Sequence, residues 1–187
     1  MGDIESRESR FRRTFDEYFD AVSRYCHRRL PTADASDATA EVFTVAWRRI
    51  DDMPFGEGTL PWLYGVARNQ VRSSRRSVRR AKALRTKLSG QARHPEPSPE
   101  VVVVRNAEQD ELLASLAKLR PADQEVLRLR ANEHLSLPEI AVVLGCSHEA
   151  AKKRSARAMK RLRRVASLPE PRGAIQGLPA IQEGGDA

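Results

Sequence analysis

The side chains with the clearest chemistry in this sequence are cations. Lys152, Lys153, Arg154, Arg157, Lys160, Arg161, Arg163 and Arg164 carry eight positive charges, and no acid interrupts them from Ala150 to Arg164. At helical spacing such a run is either a solvated face or a surface for a polyanion. The residues ahead of it favour the polyanion. Leu137, Ile140, Ala141 and Leu144 recur at threes and fours, Gly145 can stop that helix, and Ser147 can cap the next. Ala151, Ala158, Leu162 and Val165 then give the second helix an inward stripe. A helix–turn–helix whose second helix is basic is built to enter a DNA major groove.

A second cationic group lies upstream. Tyr64, Arg68, Arg72 and Arg75 fall on one side of a helix at i, i+4, i+8 and i+11, with Asn69, Ser73 and Arg76 beside them. Residues 61–93 hold ten basic residues and no acid. The formal net charge of +8 is therefore unevenly spread, with two positive regions separated by an acidic stretch over 94–119. Nucleic acid is the expected partner. Enzyme chemistry finds no footing, because Gly-rich phosphate loops, paired histidines and nucleophile elbows are all missing. Asp51 and Asp52 read as solvated loop. Cys26 and Cys146, each beside a histidine, are too few for a disulfide framework and read as reduced packing residues. No metal or cofactor is expected. No stretch approaches a membrane span and the N-terminus has no apolar signal region, so the expected location is the cytoplasm, without membrane insertion.

Helices must position these groups. Phe11, Phe15, Phe19, Val22, Cys26 and Leu30 mark an amphipathic helix over 10–30, ended by Pro31. Asp34 or Ser36 can cap a second helix to about Ile50, with Ala38, Val42, Phe43, Val45, Ala46 and Trp47 on its apolar surface. Asp51 to Thr59 reads as a loop, and Pro61 opens a third helix buried through Trp62, Leu63, Val66, Ala67 and Val71. Three prolines between His94 and Glu100 mark an extended linker. The fold class is all-α: two small helical domains joined by a flexible linker, the C-terminal one a four-helix module with a helix–turn–helix. The expected boundaries are 10–80, linker 81–104, 105–168, and a Pro- and Gly-rich tail over 169–187.

Four stretches, DATAEVFTVAWRRI (37–50), PWLYGVARNQVRSSRR (61–76), LRPADQEVLRLRANEHLSLPEIAVVLGCS (119–147) and AAKKRSARAMKRLR (150–163), together resemble the extracytoplasmic-function group of bacterial sigma factors. That resemblance implies a subunit that brings core RNA polymerase to promoter DNA. The helix over 37–50 would meet the polymerase clamp through Asp37 and Glu41, with Arg48 and Arg49 also on the polymerase side and Val42, Phe43 and Trp47 as packing. The loop after Met53 and the helix beyond it would bind and open the minus-ten element. Phe55, Tyr64, Arg68, Asn69, Arg72, Arg75 and Arg76 are the candidate contacts there. Ser147, His148, Glu149, Lys152, Lys153, Arg154 and Arg157 would face the minus-thirty-five element, while Arg161, Arg163 and Arg164 hold phosphate or the polymerase flap. An anti-sigma factor is an implied partner. The competing readings are a stand-alone helix–turn–helix regulator, which would not need the basic helix at 61–76, and a basic RNA-binding protein, which would leave the helix–turn–helix unexplained.

Overall fold

The computed structural model describes residues 6–89 and 107–166, and these form seven α-helices, a 3-10 turn and connecting turns. The helices are α1 (Arg7–His27), α2 (Thr32–Arg48), α3 (Thr59–Ser89), α4 (Ala107–Ala117), α5 (Pro121–Ala131), α6 (Leu137–Leu144) and α7 (His148–Val165), with the 3-10 turn at Gly56–Gly58. The fold is all-α, with α1–α3 in one domain and α4–α7 in the other. The expected tail, and the proline-rich part of the expected linker, lie outside the described residues.

Helix α1 starts where Ser6 accepts a hydrogen bond from the Ser9 amide at 3.1 Å. Its C-terminal half is buried through Val22, Tyr25 and Cys26. Its N-terminal half departs from the expected stripe: Phe15 and Phe19 are 37% and 38% exposed, while Arg10 and Thr14 are buried. The fully buried core residues of α1 lie in its C-terminal half; upstream, Phe11 packs against the core, and Phe15 and Phe19 pack on one another and on Phe43, with ring centroids 4.8–5.9 Å apart. Helix α2 begins earlier than either expected cap. The Ala35 amide already bonds the Pro31 carbonyl at 2.8 Å, so Asp34 and Ser36 fall inside the helix and Ser36 donates back to the Thr32 carbonyl at 3.1 Å.

Helix α3 runs 31 residues to Ser89, past the expected domain edge at 80. From 77 to 89 the sequence has no Gly or Pro and is rich in Arg, Lys, Ala and Leu, all good helix formers. In the second domain Pro121 opens α5, and a reciprocal Ser136–Glu139 capping box opens α6. Gly145 ends α6 at φ 61°, a left-handed conformation that suits glycine, and Ser147 caps α7 by accepting from the Ala150 amide at 3.3 Å. Both turn residues fall where the sequence put them.

Two apolar clusters result. The smaller joins Leu119, Leu127, Ala158 and Leu162 within the C-terminal module. The larger fills the α1–α3 bundle and continues without a break into Leu129, Leu135, Ile140, Ala141, Val143 and Ala151. The two domains are therefore packed against each other, chiefly through α3 and α6.

Candidate nucleic-acid interface

Helix α7 buries Ala151, Ser155, Ala158 and Leu162, a stripe at i, i+4, i+7 and i+11. Everything expected to touch DNA lies off that stripe. Ser147, His148, Glu149, Lys152, Lys153, Arg154 and Arg157 are all exposed. Glu149 sits in the first turn, where a negative charge suits the helix dipole. Eighteen residues make α7 about 27 Å long, enough to lie in a major groove. Arg161 behaves otherwise: it is bonded to the largely buried Asp123 at 2.6 Å and fastens α7 to α5. Its side chain is still 42% exposed, so the ion pair engages part of a guanidinium that also faces solvent.

The minus-ten candidates divide into two groups. Asn69, Arg72 and Arg76 are exposed, and their spacing of three and four puts them on one face of α3. Tyr64 is only 5% exposed, its ring 5.1 Å from that of Tyr25, and Arg75 donates to the Arg29 carbonyl at 2.8 Å. Arg68 is half-buried. Burial pushes the Tyr64 hydroxyl above its ordinary pKa and the Arg75 guanidinium below its own. Phe55 stands apart on the loop before α3, 68% exposed. The guanidinium of Arg10 lies 3.5 Å from its ring centroid and donates to the Met53 carbonyl. Trp62, read as core, is half-buried, with Arg49 lying 5.8 Å from its ring.

On α2, Asp37, Glu41 and Arg48 are exposed and share one face by their spacing. Arg49 lies past the last helical turn and pairs with Asp52 at 3.5 Å, away from that face. Val42 and Phe43 are buried as expected, but Trp47 is 43% exposed. With Phe11, Phe15 and Phe19 it forms an apolar ridge next to the charged stripe, which corrects its reading as packing. Cys26 and Cys146 both pack on the larger core, and burial pushes the Cys26 thiol upward. Among the described residues no helix is long and apolar enough to cross a membrane.

Residues 14–81 match the family described as Sigma-70 region 2, and residues 115–164 match Sigma-70, region 4. Over 140 residues the chain is 31% identical to the RNA polymerase sigma factor CnrH of Cupriavidus metallidurans, covering 71% of this chain and 73% of that protein. The chain belongs to the sigma-70 family of sigma factors. Its group is the extracytoplasmic-function one: the ECF sigma factor BldN of Streptomyces coelicolor is 35% identical over 162 residues, covering 86% of this chain and 61% of that relative's length. The fold agrees with the sigma factor RpoE of Bartonella quintana, solved in complex with the anti-sigma factor NepR. The TM-score is 0.65 at 19% identity, over 86% of this chain and 98% of that one.

In this sigma factor, then, region 2 is the α1–α3 bundle and region 4 is the module ending in α7. Four residues that sequence reasoning passed over join them: Tyr25, Arg29, Glu125 and Glu133. Arg29 donates to Glu125 at 3.1 Å and to Glu133 at 3.0 Å, and the Tyr25 hydroxyl donates to Glu125 at 2.7 Å. The only sequence signal for them was polar residues beside otherwise apolar helix stripes.

Proposed function

We propose that this chain is a promoter-specificity subunit that binds core RNA polymerase and directs transcription initiation. Region 4 would set α7 in the major groove of the minus-thirty-five element, with Ser147 to Arg157 supplying base and phosphate contacts. Region 2 would bind and open the minus-ten element through α3 and the Phe55 loop. Asn69, Arg72 and Arg76 hold exposed backbone first, and Phe55, already backed by Arg10, offers a face for an extruded base. The α2 face of Asp37, Glu41 and Arg48, with its apolar ridge, would dock on the clamp. Strand separation here is driven by binding energy, so no enzymatic step or cofactor is required, and the place of action is the cytoplasm. An anti-sigma factor is an expected partner, since the RpoE chain of similar fold was solved in complex with one.

The observation that carries the reading is membership of the sigma-70 family through two matched regions, each ending in a helix with an exposed cationic face. Run-off transcription with purified core polymerase tests it. Promoter-dependent initiation is expected on adding the chain, and its complete absence across genomic promoter fragments would refute the proposal.

A further inference from the structure

Phe55 is the most exposed large hydrophobic side chain among the described residues, yet the loop that carries it is tightly built. Met53, two residues before it, is buried. The Thr59 hydroxyl donates to the Pro54 carbonyl at 2.9 Å and closes the loop on itself. Gly56 takes a left-handed φ of 61°, and a Cβ at Gly58 would lie 2.9 Å from the Pro54 Cβ, so both positions call for glycine. A loop of this kind holds its one exposed aromatic ring in place.

The ring also rests on a cation. The Arg10 guanidinium lies 3.5 Å from the Phe55 ring centroid, and its Nη2 donates to the Met53 carbonyl. Arg10 is only 9% exposed, its Nε is buried without a hydrogen-bond partner, and no carboxylate among the described residues pairs with it. Desolvating a guanidinium is costly unless its surroundings answer the charge. The two groups that answer it here, a carbonyl and an aromatic face, both belong to the loop. The charge of Arg10 therefore serves the loop, and the packing of α1 on its neighbours does not require it.

Resting on the function proposed above, we infer that Arg10 is a positioning residue for minus-ten capture. It holds Phe55 with one face covered and leaves the other open to a single unpaired base. A cation under one face draws π density from the ring, which favours an electron-rich base on the opposite face. A ring that is already fixed also loses little rotamer freedom when the base arrives. Arg10 itself touches no DNA; it acts through Phe55.

A double-mutant cycle on the full chain with core polymerase tests this. The probe is a promoter fragment active in the run-off assay, premelted by mismatches across its minus-ten element. Arg10→Met should weaken holoenzyme binding to it by about tenfold, the scale of one lost base stack. In a Phe55→Leu background the same change should have no further effect, because the ring it positions is gone. Equal losses in the two backgrounds would mark a merely structural role and overturn the proposal, as would no loss in either. Should Arg10→Met fail to fold, isotope-labelled arginine keeps the test on the native residue. Ring current from Phe55 should shift the Arg10 Nε–H proton signal upfield, and Phe55→Leu, a change at an exposed site, should abolish that shift. A signal that does not move would overturn the contact on which the proposal stands. If the wild type itself never initiates with core polymerase, the sigma reading falls, a result distinct from these.

Discussion

Arg10 illustrates how one buried side chain can set a functional surface. It leaves α1 to donate to the Met53 carbonyl and underlies the ring of Phe55. The loop proposed to meet the minus-ten element is thus held by a residue of α1, 43 residues away in sequence. Replacing it, as Arg10→Leu, leaves a carbonyl without its donor at the cost of about 1–3 kcal/mol. Urea denaturation should show the midpoint falling at constant m-value; an unchanged midpoint would mean that the buried bond contributes nothing net. No sequence pattern announced this role. Arginine at position 10 sits one residue before the aromatic stripe and reads as its polar flank. The same holds for Tyr25 and Arg29, whose partners Glu125 and Glu133 lie about a hundred residues downstream. Periodicity reports which side of a helix is apolar, and it carries no information about an ion pair between distant segments.

At the scale of the element, what was legible was local. Gly145 and Ser147 could be read because a left-handed helix end and an N-cap each depend on a few consecutive residues. Gly145→Ala should cost about 1–2 kcal/mol, the penalty of a Cβ at a left-handed position, and calorimetry should show a lower melting temperature with native helix content. A stability equal to wild type would show that the turn relaxes to another conformation. The expected apolar stripes failed where a helix face had no neighbour to bury it. Phe15, Phe19 and Trp47 are as hydrophobic as Val22 and Val42, yet the bundle covers them on one side only, through Phe43 and Phe11, and leaves the other side exposed. Val143 failed in the other direction: it lay outside the stripe read for α6 because that stripe belonged to region 4 alone, and its actual cover is α3.

For the whole molecule, composition and charge distribution indicated a two-grip nucleic-acid binder, and the all-α class with two helical domains followed from periodicity and turn residues. What the sequence left open was the relation between the domains, because a proline-rich stretch reads as a spacer whether or not the units it joins touch. The cationic grip of region 4 makes its own prediction. Lys152, Lys153 and Arg154 are exposed on α7 and are proposed to bind DNA. Replacing all three with alanine should reduce the slope of log affinity against log salt by up to about 3, at roughly 0.9 for each phosphate no longer neutralised. Core-polymerase association, measured by pull-down, should persist; its disappearance together with DNA binding would point to misfolding.

The covalent connection between α3 and α4 has a consequence for dosage. Seventeen residues separate Ser89 from Ala107, so the α3 and α6 faces that pack together belong to one molecule and meet in a unimolecular step. Their association is set by the connecting residues and is independent of how much protein the cell makes, whereas the association of two separate chains rises with their concentration.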